Sequence, residues 1–267
     1  MAPVEDSPPT PGRRVSLAFA AMFAGIVVSA LIGGAVVSAA GWEVGVPSGL
    51  GDDFGRIAGQ VAAEVPLGHN RVPLVAQVLL TAPLWACLLG VPWLVSRPEK
   101  LDLRRDFGWG MSRRDVGVGL GVGIAAQALL LPLIYMPLLR LIDGDDLQAP
   151  ARNLVASADS SLGVAALVAL TVVGAPIVEE FLYRGLLHRG LADMWAHRGR
   201  VGAVLAVLVS STVFAASHFQ LLQFPGLLAV GIVAAVAFQT TGRLGTAVWI
   251  HVGFNATSVV VLLRQIA

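Results

Sequence analysis

Cysteine and lysine are almost absent from this 267-residue sequence, and charged residues of any kind are few. Cys87 is the only cysteine, which excludes an internal disulfide and a cysteine-rich metal site. Charged residues make up 13% of the chain, against about 25% in soluble domains. Because 56% of the residues are hydrophobic, the composition excludes both an ordinary soluble domain and a disordered chain. The chain is therefore predicted to lie in a lipid bilayer.

Apolar runs recur along the whole chain. A membrane-spanning helix needs about 20 predominantly apolar residues, so we predict an all-α, polytopic transmembrane helix bundle of about seven to eight spans. Residues 1–14 are predicted to form a cytoplasmic tail, and residues 15–267 a single integral-membrane domain with its functional core at about 161–263. The individual spans are predicted at residues 15–40, 73–96, 116–141, 161–181, 201–218, 225–241 and 245–263.

Basic residues are concentrated in the tail and in alternate loops. Arg13 and Arg14 precede the first span, and the segments 97–114 and 182–200 hold most of the others. Because Lys and Arg in short loops stay on the cytoplasmic side, we predict an integral plasma (inner) membrane protein with a cytoplasmic N-terminus. The net charge is only +1, so no nucleic-acid partner is expected.

Four glycines alternate in the sequence DVGVGLGVG at the start of the third span, at positions 117, 119, 121 and 123. A phosphate-binding loop is one interpretation of such a run. The apolar setting and the spacing of small residues favour close packing of helices instead. We therefore expect some of these glycines to let a neighbouring helix approach.

Ionisable residues inside the apolar helices are the strongest functional signal, because a charged group at mid-bilayer costs about 2.5–3.5 kcal/mol on insertion scales. In GAPIVEEFLYRG, Glu180 and Arg184 are four residues apart on a helix, the favourable spacing for an ion pair. Glu179 projects about 100° away from Glu180. A plain ion pair at a helix end would explain Glu180 and Arg184 but would leave Glu179 without a partner.

Two later apolar helices carry polar pairs at the same four-residue spacing. Phe214 and His218 share a helix face in STVFAASHFQ, and His251 and Asn255 share one in WIHVGFNAT. Neutral histidine and asparagine supply both donors and acceptors. Such side chains position a water and stabilise an oxygen that becomes negative.

Glu179 and His218 are predicted to lie at the same height in the membrane. They are almost equally far along the chain from a predicted turn at residues 196–200, which makes them neighbours in a helical hairpin. This arrangement requires the fourth helix to continue past residue 181, through FLYRGLLHRGLADMW. The turn then protrudes, and the site lies below the membrane surface.

The motifs EExxxR, FxxxH and HxxxN occur in this order on separate apolar helices. Together they resemble the CPBP family of CAAX proteases and bacteriocin-processing proteins, also called the Abi family. The resemblance covers about residues 175–258. It implies a membrane-embedded endopeptidase that hydrolyses a peptide bond with an activated water, similar to the CAAX prenyl endopeptidases.

The resemblance assigns the water chemistry to four residues. Glu179 with His218 would activate the water, and His251 with Asn255 would stabilise the tetrahedral oxyanion. Acid–base catalysis of this kind contributes about 10²–10⁴-fold, and each oxyanion donor about 10²–10³-fold.

Three further residues have supporting roles by the same resemblance. Glu180 and Arg184 would form an ion pair, and Phe214 would pack beside the site as a substrate-binding residue. No cofactor is favoured, because the two glutamates are adjacent and the sequence has no HExxH helix. Zinc is the alternative, since catalytic zinc uses a His₂Glu ligand set with one open position. Its ligands would be Glu179, His218 and His251, with Glu180 as the base.

Functions of two other classes stay open. A proton-coupled transporter would spread its ionisable side chains over the membrane depth, whereas a hydrolase brings them together in one pocket. A non-catalytic membrane scaffold or immunity protein would bind another membrane protein through its apolar faces. The expected partners of the protease are the lipid bilayer and a peptide or membrane-protein substrate. Prenylated CAAX proteins, bacteriocin leaders and membrane-protein tails are all compatible with the motifs.

Overall fold

The computed structural model describes residues 10–41, 74–95, 102–140, 144–158 and 160–266. All regular elements in these ranges are helices. Seven of the described helices are long and apolar enough to cross a membrane, which confirms the predicted all-α transmembrane bundle. Two short helices lie between them. The helices are α1 (Pro11–Ala40), α2 (Leu74–Val95), α3 (Leu103–Phe107), α4 (Arg113–Leu138), α5 (Gly144–Ala156), α6 (Ser161–Met194), α7 (Gly199–Ala216), α8 (Phe224–Thr241) and α9 (Leu244–Ile266).

α1 begins at Pro11, before the predicted end of the tail at residue 14. Proline is favoured in the first turn of a helix, because the N–H that it lacks has no partner there. Arg14 lies in this first turn, is 5% exposed, and donates to the backbone carbonyl of Asp106 in α3. Residues 11–14 are therefore helical and are not part of a tail. The rest of the predicted tail, residues 1–9, lies outside the described residues, as do residues 42–73 and 96–101.

α6 continues to Met194, so the predicted extension past residue 181 is confirmed. Two stretches of this helix, Val168–Gly174 and Phe181–His188, are π-helical, and such segments are frequent at functional sites. The α-helical segment between them, Ala175–Glu180, begins with a proline in its first turn. The glutamate pair thus lies where the backbone hydrogen-bond pattern of α6 changes.

α6 is the central helix of the bundle. Every side chain from Phe181 to His188 is buried, with α1, α7, α8 and α9 packed around this stretch. The outer helix α2 has only 11% of its apolar window buried, against 50% for α9. A helical stretch that is buried on all sides belongs to the core, so the polar side chains of this stretch, Arg184 and His188, are shielded from lipid.

α4 packs against α9 with the two backbones in direct contact. A Cβ on Gly123 would lie 2.1 Å from the carbonyl oxygen of Ile250, and a Cβ on Gly119 would meet α9 at 2.5 Å. Close helix packing is therefore confirmed for these two glycines. Gly117 and Gly121 face open space and are not part of this contact.

A hydrogen-bonded ion pair joins α4 to the turn between α8 and α9. Arg243 donates to both oxygens of Asp115, at 2.7 and 2.9 Å. The hydroxyl of Thr246 and the hydroxyl of Ser112 donate to the same carboxylate, each at 2.7 Å. The hydrogen bonds to Asp115 raise the pKa of the Arg243 guanidinium above its ordinary value.

A second carboxylate, Asp106, anchors α3. Burial raises the pKa of Asp106, but hydrogen bonds from the Arg105 side chain and the Asp102 backbone N–H outweigh it and hold this pKa below its ordinary value. Arg14 of α1 lies 3.8 Å from the same carboxylate. These contacts attach α1 to the end of the bundle that holds the α8–α9 turn.

Candidate active site

Glu179 and Glu180 are adjacent in α6 but lie in different surroundings. The side chain of Glu180 is 1% exposed, whereas that of Glu179 is 22% exposed. Because successive helical residues point about 100° apart, one carboxylate faces the interior of the bundle and the other faces the end of α7. The two glutamates are separated as the motif spacing predicts.

Glu180 accepts two hydrogen bonds through one carboxylate oxygen. Arg184 Nη1 donates to Oε1 at 3.1 Å, which is the predicted ion pair. His251 Nδ1, from α9, lies 3.0 Å from the same oxygen. An ionised carboxylate only accepts hydrogen bonds, so Nδ1 of His251 carries the proton. This contact between His251 and Glu180 was not predicted from the motifs.

The ring of Phe214 lies at the centre of the site. The guanidinium of Arg184 is stacked 4.7 Å from its centroid, and Nη2 of Arg184 donates to the Gly231 carbonyl at 2.9 Å. The rings of His218 and His251 meet Phe214 edge-on, with centroids 4.8 and 5.8 Å away. Phe214 is only 1% exposed and packs beside the site, where the motif analysis places it. Its substrate-binding role stays a prediction.

His218 follows the end of α7 and faces Glu179. Its Nδ1 donates at 2.8 Å to the carbonyl of Phe214, one of the carbonyls that a helix end leaves without an intrahelical partner. Since a carbonyl only accepts, Nδ1 carries the proton and Nε2 of the neutral ring is an acceptor. This Nε2 lies 3.9 Å from Oε2 of Glu179, in agreement with the predicted equal height of the two residues.

Tyr183 and Ser217 support the same corner of the site and were missed by the motif analysis. The hydroxyl of Ser217 donates to the Phe214 carbonyl at 2.8 Å. It therefore accepts from the hydroxyl of Tyr183, at 2.6 Å. The sequence pattern that could have identified Tyr183 is its position four residues after Glu179, which places both side chains on one face of the helix.

Asn255 binds the backbone of α6, where its Nδ2 donates to the carbonyl of Thr171 at 2.7 Å. In this π-helical stretch, the N–H of Ala175 bonds to the carbonyl of Leu170. The next carbonyl, that of Thr171, would need the N–H of residue 176. Pro176 has no N–H, so Asn255 satisfies a carbonyl that the proline leaves free. One of the two amide hydrogens of Asn255 is used in this bond.

The three motifs lie inside one segment that is similar to a known protein family. The matching family model is described as type II CAAX prenyl endopeptidase Rce1-like. It matches residues 161–257. The match confirms the predicted resemblance, and at the family level it supports a CAAX-protease-like intramembrane endopeptidase. Neither a curated protein nor a solved structure gives a match to the chain.

The zinc alternative requires three ligands that converge on one point. Among the described residues, no three His, Cys, Asp or Glu side chains are placed to hold a metal ion. Nδ1 of His251 is engaged with Glu180, while His218 faces Glu179. The side chains as placed do not fit the predicted ligand set, and the zinc alternative stays a prediction.

Proposed function

We propose that this protein is an intramembrane endopeptidase in which Glu179 and His218 activate a water for peptide-bond hydrolysis. The observation that carries the proposal is the pair of acceptors Glu179 Oε2 and His218 Nε2, which are 3.9 Å apart. Within the described part of the chain, Glu179 Oε2 is buried and has no hydrogen-bond partner. Two acceptors at this separation suit a water that donates one hydrogen to each.

In the proposed reaction, the water oxygen bonds to the carbonyl carbon of the substrate while Glu179 takes up a water proton. His218 accepts a hydrogen bond from the second O–H and orients the water. The C–N bond then breaks as Glu179 returns its proton to the leaving amine. The second hydrogen stays on the new carboxyl group and is released as that group ionises, so the products are a carboxylate, an amine and one proton, and only water is consumed.

We retain the predicted role of His251 and Asn255 at the oxyanion, and the geometry restricts which nitrogen of His251 can donate. Because Nδ1 of His251 donates to Glu180, His251 donates to an oxyanion only through a protonated Nε2, as the imidazolium. The buried carboxylate of Glu180 is in position to stabilise that charge. Asn255 retains one amide hydrogen beyond its bond to Thr171.

The convergence of side chains around Phe214 favours a hydrolase over a proton-coupled transporter. Arg184, His218 and His251 all lie within 5.8 Å of its ring centroid, whereas a relay would distribute such groups across the bilayer. A scaffold that binds through apolar faces does not require the buried side chains of Glu180, Arg184 and His251. The charged groups among them are unfavourable to desolvate. The transporter and the scaffold are therefore the second and third candidates.

The proposed substrate is a peptide or a membrane-protein segment that reaches Glu179 within the bilayer. Support comes from the partial exposure of the pair, 22% for Glu179 and 28% for His218, in a site that is otherwise buried. The proposed location is the plasma (inner) membrane with the N-terminus in the cytoplasm, because of the basic loops on that side.

The proposal is tested by comparing cells that produce the wild type with cells that produce Glu179→Gln. Mass spectrometry of new peptide termini in the membrane fraction should find termini that depend on the wild type, and the purified protein in nanodiscs should reproduce those cleavages. Asp193→Asn removes an exposed carboxylate from the same helix and should keep them. Equal cleavage by the wild type and Glu179→Gln would disprove the mechanism.

Metal analysis separates the glutamate mechanism from the zinc mechanism. We expect the purified, active protein to contain much less than one zinc per chain and to keep its activity after treatment with a chelator. Stoichiometric zinc whose removal abolishes cleavage, and whose return restores it, would establish the zinc mechanism instead.

A further inference from the structure

Polar atoms without hydrogen-bond partners are concentrated around one part of α6. The described residues contain seven buried side-chain nitrogen or oxygen atoms that have no partner. Two of them, Ser29 Oγ in α1 and Gln127 Oε1 in α4, are not part of this group. The remaining five are Glu179 Oε2, Glu180 Oε2, Arg184 Nε, His188 Nε2 and Ser211 Oγ.

Glu180, Arg184 and His188 form a row along α6, four residues apart, and each is at most 1% exposed. Ser211 of α7 lies beside this row. Gly231, whose carbonyl accepts from Arg184, is so close to Ser211 that a Cβ on the glycine would lie 3.2 Å from the serine Cβ. The four polar side chains, here called the polar row, therefore lie along the contact between α6, α7 and α8.

The polar row contains both hydrogen-bond donors and hydrogen-bond acceptors. The hydroxyl of Ser210 donates to the Val207 carbonyl at 3.2 Å and therefore accepts from Nδ1 of His188, also at 3.2 Å. The His188 ring also interacts with the Ala206 carbonyl and the Gln239 side chain. Its Nε2 is then an acceptor, as is Oε2 of Glu180, whereas Nε of Arg184 is a donor. A cation would be repelled by Arg184 and an anion by Glu180. Water, which both donates and accepts, is the ligand that fits.

We propose that the polar row binds a short file of internal waters that ends beside Glu179. Burial of polar atoms without partners is unfavourable, and internal waters commonly make two to four hydrogen bonds to such groups. The role of the file rests on the proposed function, since it supplies the water that Glu179 activates. The water site itself does not depend on cleavage.

The test uses X-ray footprinting of the full-length protein in lipid nanodiscs. Radiolysis turns bound water into hydroxyl radicals that label adjacent side chains, including buried ones. Phe214 contacts Arg184 and is 1% exposed, while Phe107 is 3% exposed and stacks on Phe181. We expect Phe214 to be labelled several-fold faster than Phe107, although both are buried.

Two variants test whether the labelling of Phe214 depends on the polar row. Ser211→Ala and His188→Leu should each lower the labelling rate of Phe214 towards that of Phe107. Ser29→Ala removes another unpartnered hydroxyl, in α1, and should leave the rate unchanged. If His188→Leu fails to fold, Ser211→Ala decides alone. Equally slow labelling of the two phenylalanines in the wild type, or a rate that Ser211→Ala does not lower, overturns the proposal.

Glu179→Gln separates this inference from the proposed function. We expect this variant to lose cleavage and to retain fast labelling of Phe214. If the wild type cleaves nothing while the labelling of Phe214 still depends on Ser211, the protease proposal fails and the water site stands. If cleavage depends on Glu179 while Phe214 is labelled as slowly as Phe107, the water file fails and the protease stands.

Discussion

Glu179 and Glu180 are the same residue type at consecutive positions, and their surroundings are opposite. Glu180 has no solvent exposure and binds Arg184 and His251 through one oxygen. Glu179 has 22% of its side chain exposed and faces Nε2 of His218 at 3.9 Å. One step along a helix therefore separates a buried carboxylate with two side-chain partners from a partly exposed one that is proposed to react.

This difference implies opposite consequences for substitution. Removal of one partner from a buried ion pair leaves an uncompensated charge, which is strongly destabilising. Removal of a carboxylate that has no strong partner changes the fold little. Substitutions at Glu180 should therefore act mainly on stability, and those at Glu179 mainly on cleavage.

The largest effect is expected from Glu179→Gln. Loss of the proposed general base should lower the cleavage rate by about 10²–10⁴-fold, with a melting temperature close to that of the wild type. Single-turnover cleavage by the purified protein and a thermal melt in the same detergent measure the two quantities. A variant that loses activity only because it unfolds would remove the contrast between the two glutamates.

Glu180→Leu should destabilise the protein by about 3–5 kcal/mol, since Arg184 would remain as a buried charge without its partner. Denaturant unfolding in detergent measures this free energy. The double variant Glu180→Met with Arg184→Met removes both charges and should recover most of the stability. His251 then lacks its partner, so cleavage should stay low. If Glu180→Leu is as stable as the wild type, the Glu180–Arg184 pair does not behave as a buried ion pair.

Asn255→Ala should cost about 1–3 kcal/mol of stability, because the Thr171 carbonyl would be left without a donor. The predicted oxyanion role adds a loss of about 10²–10³-fold in cleavage rate. Thr257→Ala is the matched control, since the hydroxyl of Thr257 bonds to the Gly253 carbonyl of its own helix. If both variants lose the same small amount of stability, Asn255 does not join α9 to α6.

The smallest effect concerns Asp106, a carboxylate outside the membrane-spanning helices. Its pKa is lower in the folded protein than its ordinary value, so its ionised form stabilises the fold above the unfolded pKa of about 3.9. This contribution is lost as the pH falls through the lower, folded pKa. Asp106→Asn should therefore lower the unfolding free energy by about 1 kcal/mol at pH 7, and by less below the folded pKa. An equal loss at both pH values would contradict this titration.

Contacts within one helix were predictable from the sequence, as was the relative height of two residues in a helical hairpin, because the helical period and the helix length determine them. The spacing of Glu180 and Arg184 gave the ion pair, and the length of α6 relative to the turn gave the proximity of Glu179 to His218. The number and class of the spanning helices followed from the length of the apolar runs.

Contacts between helices depend on how each helix is rotated about its axis, and the motifs do not contain this information. The motifs therefore assign His251 to the oxyanion without its bond to Glu180, and they do not predict that the Phe214 ring is buried between Arg184 and the two histidines. The bond from Asn255 to Thr171 follows from a π-helical stretch next to Pro176. No periodic pattern predicts such a change of hydrogen-bond register.

The Asn255–Thr171 bond also limits how the site opens. Together with the bond from His251 to Glu180, it connects α9 to α6 at two points, so a rotation of either helix alone would break both bonds. Arg184 bonds α6 to Gly231 of α8 in the same way, and Tyr183 bonds α6 to Ser217 at the end of α7. Displacement of any one of these helices from α6 would therefore break at least one side-chain hydrogen bond.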